Sequence, residues 1–222
     1  MDIALSSIEA RVIGSLIEKE LTTPEYYPLT LNALTNACNQ KNNRDPILSL
    51  EETTVVRAIE SLREKGLLAT VTGAGIRVPK YRQVFSETLV LASPEVAVVA
   101  LLMLRGPQTI GEIRGRCASM HAFESLEAVQ SVVDVLSTNE QRIPLVKKLP
   151  RQAGQKEVRF MHLLSGEPAS SKIENSAQPE KARLVVVAEN ERITSLEAEV
   201  KRLKDGFETL REQFGKFKKQ FE

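Results

Sequence analysis

Thr30-Leu31-Asn32-Ala33-Leu34-Thr35-Asn36-Ala37-Cys38 is echoed further down the chain by Thr109-Ile110-Gly111-Glu112-Ile113-Arg114-Gly115-Arg116-Cys117. Each copy opens on threonine, has an aliphatic residue four positions on, and closes on cysteine. Each also lies between an apolar helical pattern upstream and a second helix plus a two-strand signal downstream. Helix, helix, helix, hairpin in tandem predicts two winged-helix domains. The expected class is mainly α with small β-hairpins (α+β). The expected boundaries are 1–88 and 89–165 for the domains, 166–180 for a linker and 181–222 for a C-terminal heptad helix.

Working outward from the first copy, Ser6 and Glu9 have capping-box spacing, and Ile13, Leu16 and Ile17 give the following helix an apolar face. Thr23-Pro24 reads as an N-cap with proline at the first helical position, so a short turn should carry Tyr26 and Tyr27. After Cys38 a polar run, Asn39 to Pro46, ends the second helix. Ser49 and Glu52 form another capping-box pattern, opening a third helix on Val55, Ile59 and Leu62, and Gly66 stops it. Val71 to Val78 reads as two strands around a glycine turn.

In the second half, Ser93-Pro94-Glu95 again reads as cap and proline. Val96 to Leu104 is apolar nearly all round, so this helix should be buried on several sides, against the first domain as well as its own core. Val129, Val133 and Leu136 mark the third helix. Ile143–Leu149 with Val158–Leu163 supply a second hairpin.

Beyond Ser165 the chain turns polar and aperiodic, as a linker does. Ile193, Leu196, Val200, Leu203, Phe207, Leu210, Phe214, Phe217 and Phe221 then alternate spacings of three and four, an a/d seam that predicts a homodimer through the C-terminal helix. In a parallel pair Arg192 faces Glu197 and Glu199 faces Lys204. Gly206, Gly215 and the run of phenylalanines oppose that packing, and leave docking on the chain's own body as the alternative.

The 222 residues are 42% hydrophobic and 27% charged with net charge +1, an ordinary soluble composition. The longest apolar run is about half of the roughly 20 residues that cross a bilayer. No N-terminal stretch has the make-up of a secretory signal, so a cytoplasmic protein is expected, with no membrane association. The cysteines, at matching places in the repeats, read as small packing residues. Cys117 and His121 stand at i, i+4, but Cys38 and His162 are remote, so no metal site and no cofactor are expected. Gly73-Ala74-Gly75 lacks the lysine and the helix that a phosphate loop needs. No nucleophile–base–orienter set is present, and the chain reads as non-enzymatic.

Charge distribution points to docking. On the third helix Thr53, Thr54 and Arg57 could reach a duplex, although Glu51, Glu52, Glu60 and Glu64 repel phosphate. The first hairpin brings Arg77, Lys80 and Arg82. The amides of Asn39, Gln40, Asn42 and Asn43, with Lys41 and Arg44, can donate to phosphate oxygens. The second domain's third helix region carries Glu124, Glu127, Asp134 and Glu140, with no lysine or arginine between Arg116 and Arg142. Double-stranded DNA is therefore the expected partner of the first domain, as for a transcriptional regulator. A protein partner, in an adaptor built from the same surfaces, is the alternative.

Leu21 to Leu34, Asn36 to Lys41 and Asn43 to Pro46 resemble the YceH-type family of bacterial proteins. The resemblance spans both repeats, and the heptad tail is similar to that family's C-terminal helix. It implies a tandem winged-helix fold in the bacterial cytoplasm. It carries no catalytic residue over, because the family has no established activity.

Overall fold

The computed structural model describes residues 4–73, 77–138, 143–151 and 157–165. The linker and the heptad residues Ile193, Leu196, Val200, Leu203, Phe207, Leu210, Phe214 and Phe217 lie outside the described residues. The fold is mixed α+β, with seven α-helices and small antiparallel sheets among the described residues.

The first half runs α1 (Ser7–Thr22), a 3-10 turn (Pro24–Tyr26), β1 (Leu29–Thr30), α2 (Leu31–Cys38), α3 (Glu52–Glu64), β2 (Leu68–Val71) and β3 (Lys80–Gln83). The Ser6 hydroxyl accepts from the Glu9 N–H and the Glu9 carboxylate from the Ser6 N–H, so the capping box closes as expected. α4 (Phe85–Thr88) leads to the second half: α5 (Ser93–Arg105), α6 (Ile110–Arg116), α7 (Leu126–Thr138), β4 (Val146–Lys148) and β5 (Phe160–His162).

The echo seen in the sequence is a structural one. Thr30 and Thr109 both cap their helices, accepting from Ala33 and Glu112 N–H. Leu34 and Ile113 are fully buried, as are Cys38 and Cys117. β1 pairs with β3 through Leu29 and Tyr81, and at the equivalent place Gln108 bridges Phe160. Each second-half residue stands the same number of positions downstream of its first-half counterpart.

Three expected details differ. The Ser49–Glu52 box does not form, and α3 starts only at Glu52 without a side-chain cap. The Leu50 backbone is held instead by the Asn39 amide, which donates to its C=O at 2.9 Å and accepts from its N–H at 2.7 Å. The first hairpin's strands lie further from the glycines than Val71–Val78 implied, and β1 joins them in a sheet ordered β1-β3-β2. α5 begins at Ser93, with Ala92 as its cap, its N–H held by the Glu95 carboxylate at 2.8 Å.

α1 and α5 form the centre. Val96 to Leu104 are all buried, as an all-round apolar helix demands. Gly14 permits the close approach: a Cβ there would lie 3.0 Å from Leu104 Cδ2 and 3.3 Å from Met103 Cβ. One continuous apolar cluster therefore serves both halves, and Met1–Glu167 is one compact unit.

Candidate docking surfaces and family

The polar run 39–46 is only partly a surface. Arg44 is buried, and its guanidinium grips both oxygens of Glu18 at 3.0 and 2.6 Å, with further bonds to the Ala37 and Asn43 carbonyls. It is not available to phosphate, a correction to its expected role. Arg11, also buried, donates to the Cys38 carbonyl at 3.1 Å and the Pro46 carbonyl at 2.7 Å. Burial, and then the neighbouring Arg44 charge, lowers the Arg11 pKa.

The same loop reaches across to α5. The Asp45 N–H donates to the Leu104 carbonyl at 2.9 Å, and Asn43 Oδ1 accepts from Arg105 at 2.7 Å. The first of these bonds satisfies a carbonyl at the end of α5 that its own turns leave open, and the second anchors the Arg105 guanidinium. The loop is a tie between the halves. Asn39 is spent on Leu50 and Gln40 is half-buried, while Lys41 and Asn42 face solvent.

Thr53 and Arg57 are exposed on α3, and Thr54 is half-buried. That face also exposes Glu52, Glu60, Arg63 and Glu64, so it is net acidic. On the hairpin Arg77 is exposed and Lys80 half-buried, whereas Arg82 is paired with Glu87 at 2.8 Å. Among the described residues Lys41, Arg57, Arg77 and Lys80 make no ion pair. Asn32 and Asn36, exposed on α2 and bonded to one another at 3.0 Å, belong to the same solvent-facing polar set. Their i, i+4 recurrence on one helix face is the sign of that set in the sequence.

In the second half Glu112 is the electrostatic hub. It caps α6 and pairs with Arg159 at 2.9 Å and Arg116 at 3.4 Å, and Arg116 also meets Gln108. Burial would raise the Glu112 pKa, but the Thr109 N–H and the two arginines bring it down. Gly111 and Gly115 occupy the positions that Asn32 and Asn36 hold in the first half. They open a groove between α6 and α7, flanked by Phe123 and the half-exposed Leu126. A second groove, of about 550 Å³, shares Gly111 and Leu126 and continues towards Val158 and Phe160.

Burial pushes the Cys38 thiol up to about 11 and the Cys117 thiol up to about 12, so both stay protonated and unreactive at neutral pH. Burial also draws His162 down to about 4, leaving it neutral. Among the described residues no group of three His, Cys, Asp or Glu side chains could hold a metal ion, and no helix is long and apolar enough to cross a membrane.

Residues 5–155 match the family model described as "Protein of unknown function, DUF480". A UPF0502 protein of Geobacter sulfurreducens is 54% identical over 222 residues, covering 100% of both chains. One of Pelobacter propionicus is 47% identical over 222 residues, again 100% of each, and one of Opitutus terrae 52% identical over 175 residues, 79% of this chain and 76% of its own. Family match and full-length likeness agree: the chain belongs to the DUF480/UPF0502 family of bacterial proteins.

Proposed function

We propose that this chain is a non-enzymatic tandem winged-helix protein of the bacterial cytoplasm, of YceH type, whose first half docks on double-stranded DNA. The observation that carries the reading is the location of its uncompensated cations. Lys41 follows α2, Arg57 stands on α3, and Arg77 and Lys80 belong to the hairpin. These are the three elements that a winged helix turns towards a duplex, and none of the four cations is neutralised by a carboxylate among the described residues. Asn32, Asn36 and Asn42 add donors for phosphate oxygens. The net-acidic face of α3 argues for contact through phosphates more than bases, hence for weak, salt-sensitive binding.

The test is charge reversal. In gel shifts with a mixed-sequence duplex at low salt, Lys41→Glu/Arg57→Glu/Arg77→Glu is expected to abolish a shift that the parent chain gives. Equal shifts by both proteins would refute the reading.

Burial of Arg44 removes one link from a positive strip across the first half, and this favours a second reading, a protein adaptor. Retention of a protein partner by the triple variant, with nucleic acid digested away, would select it. Pairing of two chains through Ile193, Leu196, Val200, Leu203, Phe207, Leu210, Phe214 and Phe217 belongs to both readings.

A further inference from the structure

The two halves differ in kind at two pairs of equivalent positions. Asn32 and Asn36 cover the outer face of α2 with amides, whereas Gly111 and Gly115 leave the corresponding positions of α6 without side chains, next to the exposed Arg114. The fold does not require these glycines. A Cβ at Gly115 would meet nothing within 4 Å, one at Gly111 only Thr109 Oγ1 at 3.9 Å, and neither has a positive φ. Glycine also weakens a helix relative to alanine, the more so in one of 7 residues. Their effect is external, a smooth channel floor one helical turn long.

From its geometry we infer that the groove between α6, α7 and the β4–β5 hairpin is a docking site for an amphipathic helix of a partner protein, one with a basic edge facing α7. Several observations converge on that occupant. Leu126, 46% exposed, is the groove's open apolar side chain, flanked by the half-buried Ile110 and Val158 with the core residues Phe123 and Phe160 behind. No buried unpaired polar group among the described residues opens into it; its polar side chains, Gln130, Asp134, Ser137 and Thr138 among them, lie along α7 and do not converge in a buried pocket. An added strand is disfavoured as well, because the Phe160 N–H and C=O are already paired with Gln108 at 2.8 and 3.0 Å. Apolar anchors without free backbone partners suit a helix laid in a groove.

Charge sets the orientation. Glu127 and Asp134 are exposed on α7, which carries no lysine or arginine, so beyond Arg114 at the near end of the groove this wall attracts basic side chains. Opposite it, the exposed Lys148, Arg151 and Glu157 line the channel, with one more positive charge than negative. A matching helix therefore carries Lys or Arg on one flank of its apolar stripe and an acidic residue on the other. This inference is independent of DNA docking by the first half.

Random peptides of about 16 residues, some 24 Å as a helix, are displayed against the full chain. Enriched sequences should show apolar residues at i, i+3, i+4 and i+7 flanked by lysine or arginine. A synthetic copy of the best peptide should bind at least about tenfold more weakly to Gly115→Leu, which fills the channel, and to Leu126→Lys, which charges it. Gly115→Leu has open space and gains helix propensity, so its Tm should equal or exceed that of the parent while its duplex gel shift is unchanged. No enrichment, enrichment of acidic or extended peptides, displacement of the peptide by duplex DNA, or equal binding by both variants would overturn the inference.

Discussion

Val90 is a β-branched residue at φ +51°, in the left-handed region that glycine enters freely. It occupies the first position past the cap of α4, with its N–H on the Glu87 carbonyl and the Leu91 N–H on the Ser86 carbonyl. That is the hydrogen-bond pattern of a Schellman helix end, where glycine is the usual occupant. Val90 is 84% exposed, so its side chain gains little from packing. Val90→Gly is expected to raise stability by about 1 kcal/mol in urea unfolding, since relief of left-handed strain worth roughly 1–2 kcal/mol exceeds the added chain entropy. A loss of stability would show that the valine packs on something. His162 gives a second residue-scale prediction. Its folded pKa, about 4, lies below the ordinary 6.5 because burial disfavours the cation. The unfolded chain therefore binds the proton first, so stability is full above pH 6.5 and falls as pH drops towards 4, by up to about 3 kcal/mol. His162→Leu should flatten unfolding free energy across that window. An unchanged slope would place the titration elsewhere.

At the scale of elements, α1 carries two interfaces. Its apolar residues Ile13, Leu16 and Ile17 were legible from spacing. A polar stripe, Arg11, Ser15 and Glu18, repeats at i, i+4 and i+7 and is buried too. That stripe was the available sign that α1 is covered on a second side, but what covers it comes from far along the chain. Arg44 reads as a solvent cation in a polar run, and only its 26-residue separation from Glu18, closed by the fold, turns it into a strut. Asn39 is misread for the same reason, its partner Leu50 being invisible to local pattern. Replacing Arg44 by methionine should cost about 3–5 kcal/mol in urea unfolding, because Glu18 is left buried without its counter-charge. A loss below 1 kcal/mol would mean that Glu18 escapes to water. Gly14→Val should cost about 1–3 kcal/mol by forcing α1 away from Leu104 and Met103, and a neutral result would deny their close packing.

For the molecule as a whole, the repeat was legible because threonine caps, aliphatic anchors and cysteines recur in register, and a shared core follows from the all-round apolarity of α5. The candidate docking surfaces were less legible, since exposure depends on which cations the fold consumes: among the described residues Arg44 and Arg82 are paired with carboxylates, while Lys41, Arg57 and Arg77 are not. Likewise the bareness of Gly111 and Gly115 acquires meaning only beside Asn32 and Asn36. In sedimentation the full chain is expected to be dimeric, and Leu203→Asp/Leu210→Asp monomeric; a parent chain that sediments as a monomer would exclude the paired heptads. The central claim, that the first half engages duplex DNA through a small set of unpaired cations, is tested most directly by fluorescence titration of a labelled duplex across salt concentration. Four phosphate contacts per chain predict a log–log slope of about −3.6. Absence of binding at low salt, or a slope near zero, would contradict it.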